Sequence, residues 1–157
     1  MTRLVAVECN PDVELAKSFG YTRKEIFHAG NISAVCKHVN KYQESIGIID
    51  EDPFGTHPKL LQSFRTVNEE RDIKIIASPE HGNLIFMLRP RLEEWILKAA
   101  DSAQLDITSF GLPNTPNELH SIINSRAGSL QKLISTLETT SQMFISLKKS
   151  VRPQQKK

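Results

Sequence analysis

The chain has 157 residues and a formal net charge of +2, from 20 basic and 18 acidic side chains. That length suits about one domain, and 39% hydrophobic with 24% charged residues excludes wholesale disorder and collagen-like repeats. No apolar run approaches the roughly 18 residues of a membrane helix. The run Leu4-Val5-Ala6-Val7 is too short for a signal-peptide core. Two cysteines, Cys9 and Cys36, make no disulfide or metal framework. The expectation is a cytoplasmic protein with reduced thiols and no membrane association.

Apolar periodicity predicts strands alternating with helices. Leu4 to Val7 reads as a buried strand. Asn10-Pro11-Asp12 breaks it and starts a helix with Val13, Leu15, Ala16 and Phe19 inward, closed by Gly20. Glu25 to His28 is a second strand. Gly30-Asn31 turns into a helix carrying Ile32, Val35, Cys36 and Val39, and Ser45 to Ile49 is a third strand ending at Asp50. A helix is expected from His57 to Glu70, with Leu60, Leu61, Phe64 and Val67 on one face. Ile73 to Ala77 and Asn83 to Leu88 are further strands around a turn at 78–82. Arg89-Pro90 then opens a helix holding Leu92, Ile96, Ala99 and a core Trp95.

This order predicts an α/β fold, Rossmann-like and three-layered, with a mostly parallel central sheet. The expected organisation is an α/β domain over 1–104, a linker over 105–117, a helical extension over 118–149 and a basic, disordered tail over 150–157. The extension repeats Leu119, Ile122, Ile123, Leu130, Leu133, Ile134, Leu137, Phe144 and Leu147 at helical spacing, with Gly128 as its expected break. It would either pack on the sheet or form a homodimer. Five basic residues (Lys148, Lys149, Arg152, Lys156, Lys157) lie in the last ten positions without an acid, leaving 15 basic against 18 acidic residues elsewhere. The body is therefore mildly acidic and only the tail could hold a phosphate backbone electrostatically.

In a parallel sheet, ligands bind beyond the carboxyl ends of the strands. Glu8 follows the first strand and Asp50-Glu51-Asp52 follows the third. The first strand commonly lies beside the third, so these acids should converge, with Asp50 and Asp52 on one side of the chain. Carboxylates so close repel one another unless one is protonated or a cation lies between them. Hard oxygen ligands suit Mg²⁺ or Mn²⁺. Pro53 and Gly55 make a tight turn after Asp52. Asp12, Glu93 and Glu94 read first as first-turn helix acids. His28, at a strand end near the proposed site, and Arg89 and Arg91 are candidates for phosphate contact, whereas His57 and His81 read as solvated loop residues.

The pattern Val5-Ala6-Val7-Glu8-x-x-x-Asp12, then Gly30 near the second strand, then Ile48-Ile49-Asp50-x-Asp52-x-x-Gly55 resembles the TOPRIM domain of topoisomerases, primases and related nucleases, over about residues 3 to 100. The resemblance implies that Asp50 and Asp52 hold Mg²⁺ (or Mn²⁺) and that Glu8 is a general acid/base or metal ligand. It implies phosphodiester chemistry on nucleic acid, DNA or RNA; by their positions His28, Gly30 and Arg89 are the substrate-side candidates. Tyr21 and Tyr42 fall at helix ends, away from a topoisomerase nucleophile's place, and no zinc-ligand cluster is present, so hydrolysis is favoured over strand transfer or polymerisation. Cys9 stands where the family usually has glycine. The second reading is accordingly a catalytically inactive TOPRIM-like or Rossmann-like module that binds a partner protein or nucleic acid.

Overall fold

Six strands form one sheet. β1 (Val5–Val7), β2 (Ile26–His28), β3 (Ile46–Asp50), β4 (Arg65–Glu69), β5 (Ile73–Ala77) and β6 (Leu84–Leu88) lie in the order β2-β1-β3-β6-β5-β4 in the computed structural model, which describes residues 4–151. β2, β1, β3 and β6 run parallel, while β5 is antiparallel to β6 and β4 to β5. The sheet is thus mixed and mostly parallel. The antiparallel arm exists because only the Ser78–Asn83 turn separates β5 from β6; a parallel return needs a crossover of about a dozen residues or more. Asn83 fastens that turn, its side-chain amide donating to the carbonyls of Val39 (3.0 Å) and Tyr42 (2.7 Å).

Among the described residues seven α-helices flank the sheet: α1 (Asn10–Ser18), α2 (Ile32–Lys41), α3 (Lys59–Gln62), α4 (Leu92–Ser102), α5 (Pro116–Ile122), α6 (Ala127–Thr140) and α7 (Gln142–Val151). Two apolar clusters define three layers. On one face Val5, Val7, Ile48, Phe86 and Leu88 pack with α1, α4 and all of α5–α7. On the other Ala6, Ile49, Ile76, Ile85 and Met87 pack with α2 and the α3 region. Strands covered on both faces read as unbroken apolar runs, which is why β1, β3 and β6 are apolar without alternation. No helix among the described residues is long and apolar enough to cross a membrane.

The expected helix over His57 to Glu70 is a correction. Only Lys59–Gln62 is helical, and Arg65–Glu69 is the edge strand β4. Leu60, Leu61 and Phe64 pack into the second cluster, but Val67 is 49% exposed. Pairing with β5 overrides a local helical spacing, as tertiary context commonly does. A solvated edge strand also shows no apolar alternation. Gly128 does not break the helical extension either. It lies in the first turn of α6, and the breaks fall at the Ile123–Ser125 turn and at Ser141. The apolar stripe of α5–α7 faces the chain's own core, where Leu119, Leu130, Leu133, Leu137 and Phe144 are buried. Of the tail, Arg152, Lys156 and Lys157 lie outside the described residues.

Candidate functional site

The parallel strands set out the acids. Val7 is level with Ile48 on β3, and Asp50 with Leu88 on β6, so Glu8, Asp50 and the Arg89–Arg91 segment leave neighbouring strands at one sheet edge. Two helices begin there. Cys9 is the N-cap of α1, which puts Asp12 at its third position, and Arg91 is the N-cap of α4, which puts Glu93 at its second. A first-turn acid on a helix that starts from this edge is delivered to it by the fold.

Asp50 is held by the start of α4, where the Leu92 N–H donates to its Oδ1 at 2.9 Å. This satisfies one of the amide donors a helix leaves free at its N-terminus. Asp12 is 1% exposed and accepts the Cys9 S–H on Oδ2 at 3.2 Å. Glu93 is 4% exposed, with Oε1 3.1 Å from His120 Nδ1 and 4.0 Å from Arg91 Nε. Arg91 pairs with Glu94 at 2.8 Å and donates to Asn117 Oδ1 at 3.2 Å. Two carboxylate oxygens, Glu8 Oε1 and Asp12 Oδ1, are buried with no hydrogen-bond partner.

The electrostatics record the crowding. Burial, and then the charges of Asp12, Glu93 and Glu8, push Asp50 up to about 9. Burial pushes Asp12 up to about 7; the Cys9 thiol hydrogen bond opposes that rise and the charge of Glu8 adds to it. Glu8 is raised by burial and by the charges of Asp52 and Glu93, against a lowering hydrogen bond from the Asp50 backbone. Burial, with the charge of Asp12, drives the Cys9 thiol far above its ordinary range. Four carboxylates therefore feel one another, Glu8, Asp12, Asp50 and Glu93, and Asp52 acts on Glu8 from the adjoining turn.

Asp52 leaves this group by its backbone. It has a left-handed φ of +45° and turns its carboxylate back over Gly55. The turn is anchored by Glu51 N–H to Leu88 O and Asp52 N–H to Pro90 O, both 2.9 Å, and by His57 Nε2 on the Glu51 carbonyl at 2.7 Å. His28 is exposed at the end of β2, level with Val7. Gly30 has φ +91° with open space where a Cβ would stand, so its conformation rather than crowding asks for glycine. Arg89 pairs with Glu51 (2.8 Å) and Glu69 (2.9 Å) and donates to the Glu70 carbonyl, so its guanidinium ties the loop after β3 to β4. Trp95 is a core residue, 2% exposed.

Glu8 and Asp50 are thus brought together, with Asp52 beside them. Sequence reading placed Asp12 and Glu93 as first-turn helix acids; they are that and are also buried in the cluster. The available signal was that each begins a helix directly after a parallel strand. Nothing in the sequence pointed to His120, which comes from the far end of the chain. Among the described residues no group of three or more His, Cys, Asp or Glu side chains is already arranged to hold a metal ion. The donor set nevertheless fits a hard cation, since it is all oxygen and includes two buried atoms without partners. No family model, no curated protein and no solved structure matches the chain.

Proposed function

We propose that this site carries out metal-dependent phosphodiester hydrolysis of nucleic acid, as a TOPRIM-like nuclease. The observation that carries the reading is the pair of unpartnered buried oxygens, Glu8 Oε1 and Asp12 Oδ1, within four mutually repelling acids at the ligand-binding edge of the sheet. A buried carboxylate oxygen without a partner is costly unless the group is protonated or the oxygen faces a cation. Asp50, Glu8 and Asp52 would hold Mg²⁺ or Mn²⁺, with Asp12 and Glu93 as further oxygen donors. When bound, the ion supplies Lewis-acid polarisation of the phosphodiester. Glu8, its pKa raised by burial and neighbouring charge, would move a proton to or from the reacting oxygens. Asp50 is kept in orientation by the Leu92 N–H. His28 and Gly30 would flank the substrate strand at the β2 end of the site. With an acidic body and Arg89 committed to Glu51 and Glu69, the basic residues of the tail would supply the positive charge for the rest of a DNA or RNA backbone.

The second reading, an inactive module that binds a partner protein or nucleic acid, is favoured by Cys9. Its S–H already satisfies one Asp12 oxygen, and protonation could quiet the rest. Calorimetric titration of Mn²⁺ into the wild type and Asp50→Asn separates the two. The nuclease reading expects binding in the wild type that is lost in the variant, with metal-dependent cleavage of single- or double-stranded DNA or RNA lost alongside it. Wild-type protein that binds no Mn²⁺ and cleaves nothing sinks that reading in favour of the module.

A further inference from the structure

We propose that His120, carried by α5, is a positioning residue of the acidic site: it holds Glu93 in the orientation from which that carboxylate serves a divalent cation. The inference rests on reading the cluster as a metal centre, to which the 1%-exposed Asp12, with its unpartnered Oδ1, points independently. The helical extension then has a part in the site beyond packing.

The geometry starts from Leu119, fully buried in the main apolar cluster. It fixes α5 against α4 and so fixes the residues on either side of it. Asn117 accepts from Arg91 Nη2 at 3.2 Å, and His120 Nδ1 meets Glu93 Oε1 at 3.1 Å. Both contacts fall on the first turn of α4, the turn whose Leu92 N–H holds Asp50. One helix from the C-terminal part of the chain therefore braces the segment that presents Glu93 and whose Leu92 N–H holds Asp50.

His120 is poorly explained as a packing residue. Its side chain is 62% exposed while that of Glu93 is 5% exposed, so the ring covers the carboxylate from the solvent side. A neutral imidazole with its proton on Nδ1 donates this bond as an imidazolium would, so the role does not depend on a charged ring. Arg91 is the competitor. Its Nε stands 4.0 Å from the same Glu93 oxygen, and without His120 the carboxylate would swing toward the guanidinium and away from Asp50 and Glu8. Hydrogen-bond partners of metal-ligating side chains typically contribute about 10–100-fold in metal affinity.

The test is calorimetric Mn²⁺ titration of the full chain as wild type, Asp50→Asn, His120→Ala and His120→Asn, with metal-free thermal unfolding of each. His120→Ala should bind Mn²⁺ about 10–100-fold more weakly while unfolding at the wild-type temperature, since an exposed ring leaves no cavity. His120→Asn, whose side-chain amide can donate from nearly the same place, should recover most of the loss. Wild-type affinity in His120→Ala while Asp50→Asn fails to bind overturns the inference and leaves the metal centre standing. An Asn variant as weak as the Ala variant also overturns it, because the donated hydrogen bond would then not be what matters. Absence of Mn²⁺ binding in the wild type overturns the metal-centre reading itself, and the role of His120 with it.

Discussion

Asp52 and Gly55 show how one backbone conformation decides where an acid lies. With φ at +45° Asp52 folds its carboxylate over Gly55, and a Cβ on Gly55 would come 2.8 Å from the Asp52 Cγ and closer still to Oδ2. Gly55→Ala must therefore displace the Asp52 carboxylate. Only the end of a side chain on an open turn has to move, so stability should stay within about 0.5 kcal/mol of wild type while Mn²⁺ affinity changes; chemical denaturation paired with titration checks both. Gly47 gives the opposite outcome. A Cβ there would meet Val35 Cγ1 at 2.7 Å and Ile85 Cγ1 and Val39 Cγ2 at 3.1 Å, all in packed interior. Gly47→Ala should destabilise the protein by about 1–3 kcal/mol in urea unfolding, with metal affinity unchanged. Glu8 and Asp50 were legible as members of the acid cluster because one follows and the other ends a recognisable strand. Asp12 was legible only through its place in the TOPRIM-like pattern; by itself a first-turn helix acid has a sufficient local reason to be there, and the burial of its side chain adds a second one.

At the scale of elements, α7 belongs to the same core as the first strand. Phe144 is fully buried, its ring centroid 5.5 Å from that of Phe19 on the α1 side and 6.1 Å from that of Trp95 on α4. The Tyr21 hydroxyl also donates to the Val151 carbonyl at 2.6 Å, closing the last described turn onto the segment after α1. Phe144→Ala should lower the unfolding free energy by about 3–5 kcal/mol, measured by denaturant unfolding, as a core substitution rather than a surface one. The helical character of this region was readable from its apolar spacing; its partner surface was not, since periodicity says which face is apolar and not what covers it. β4 failed for a related reason. Leu60, Leu61, Phe64 and Val67 fit a helical face, and three of the four are indeed packed, so the spacing was satisfied by a short α3 and the turn after it. What makes Arg65–Glu69 a strand is the ladder offered by β5, which no local pattern reveals. The buried parallel strands β1, β3 and β6 were legible because an unbroken apolar run of strand length needs no knowledge of its neighbours.

For the molecule as a whole, the acid cluster is expected to tie stability to pH and, on the proposed reading, to cations. An unfolded aspartate has a pKa near 3.8, whereas in the fold Asp12 is raised to about 7 and Asp50 to about 9, burial being the largest cause for both. Between these limits the folded protein keeps protons that the unfolded chain has already released. Stability then falls as pH rises, because the unfolded state binds fewer protons. The decline should begin near pH 4, lose the Asp12 contribution by about 7 and that of Asp50 by about 9. Metal-free thermal unfolding in a chelating buffer should thus show a lower midpoint at pH 9 than at pH 5. Asp50→Asn removes one of the titrating groups, so its midpoint should fall less over the same range and exceed that of wild type at pH 9. At this chain length each kcal/mol corresponds to about 2–4 °C. On the proposed reading a divalent cation should reverse the trend, since it would bind the deprotonated cluster of the fold and nothing comparable in the unfolded chain. At a hundred times its dissociation constant it adds about 2.7 kcal/mol, and most of that gain should vanish at pH 5, where protons compete for the same oxygens. A midpoint that is flat or rising from pH 5 to 9 without metal would mean that the four carboxylates are not strained against one another as their burial implies. A cation effect equal at both pH values would place the ion elsewhere on the molecule.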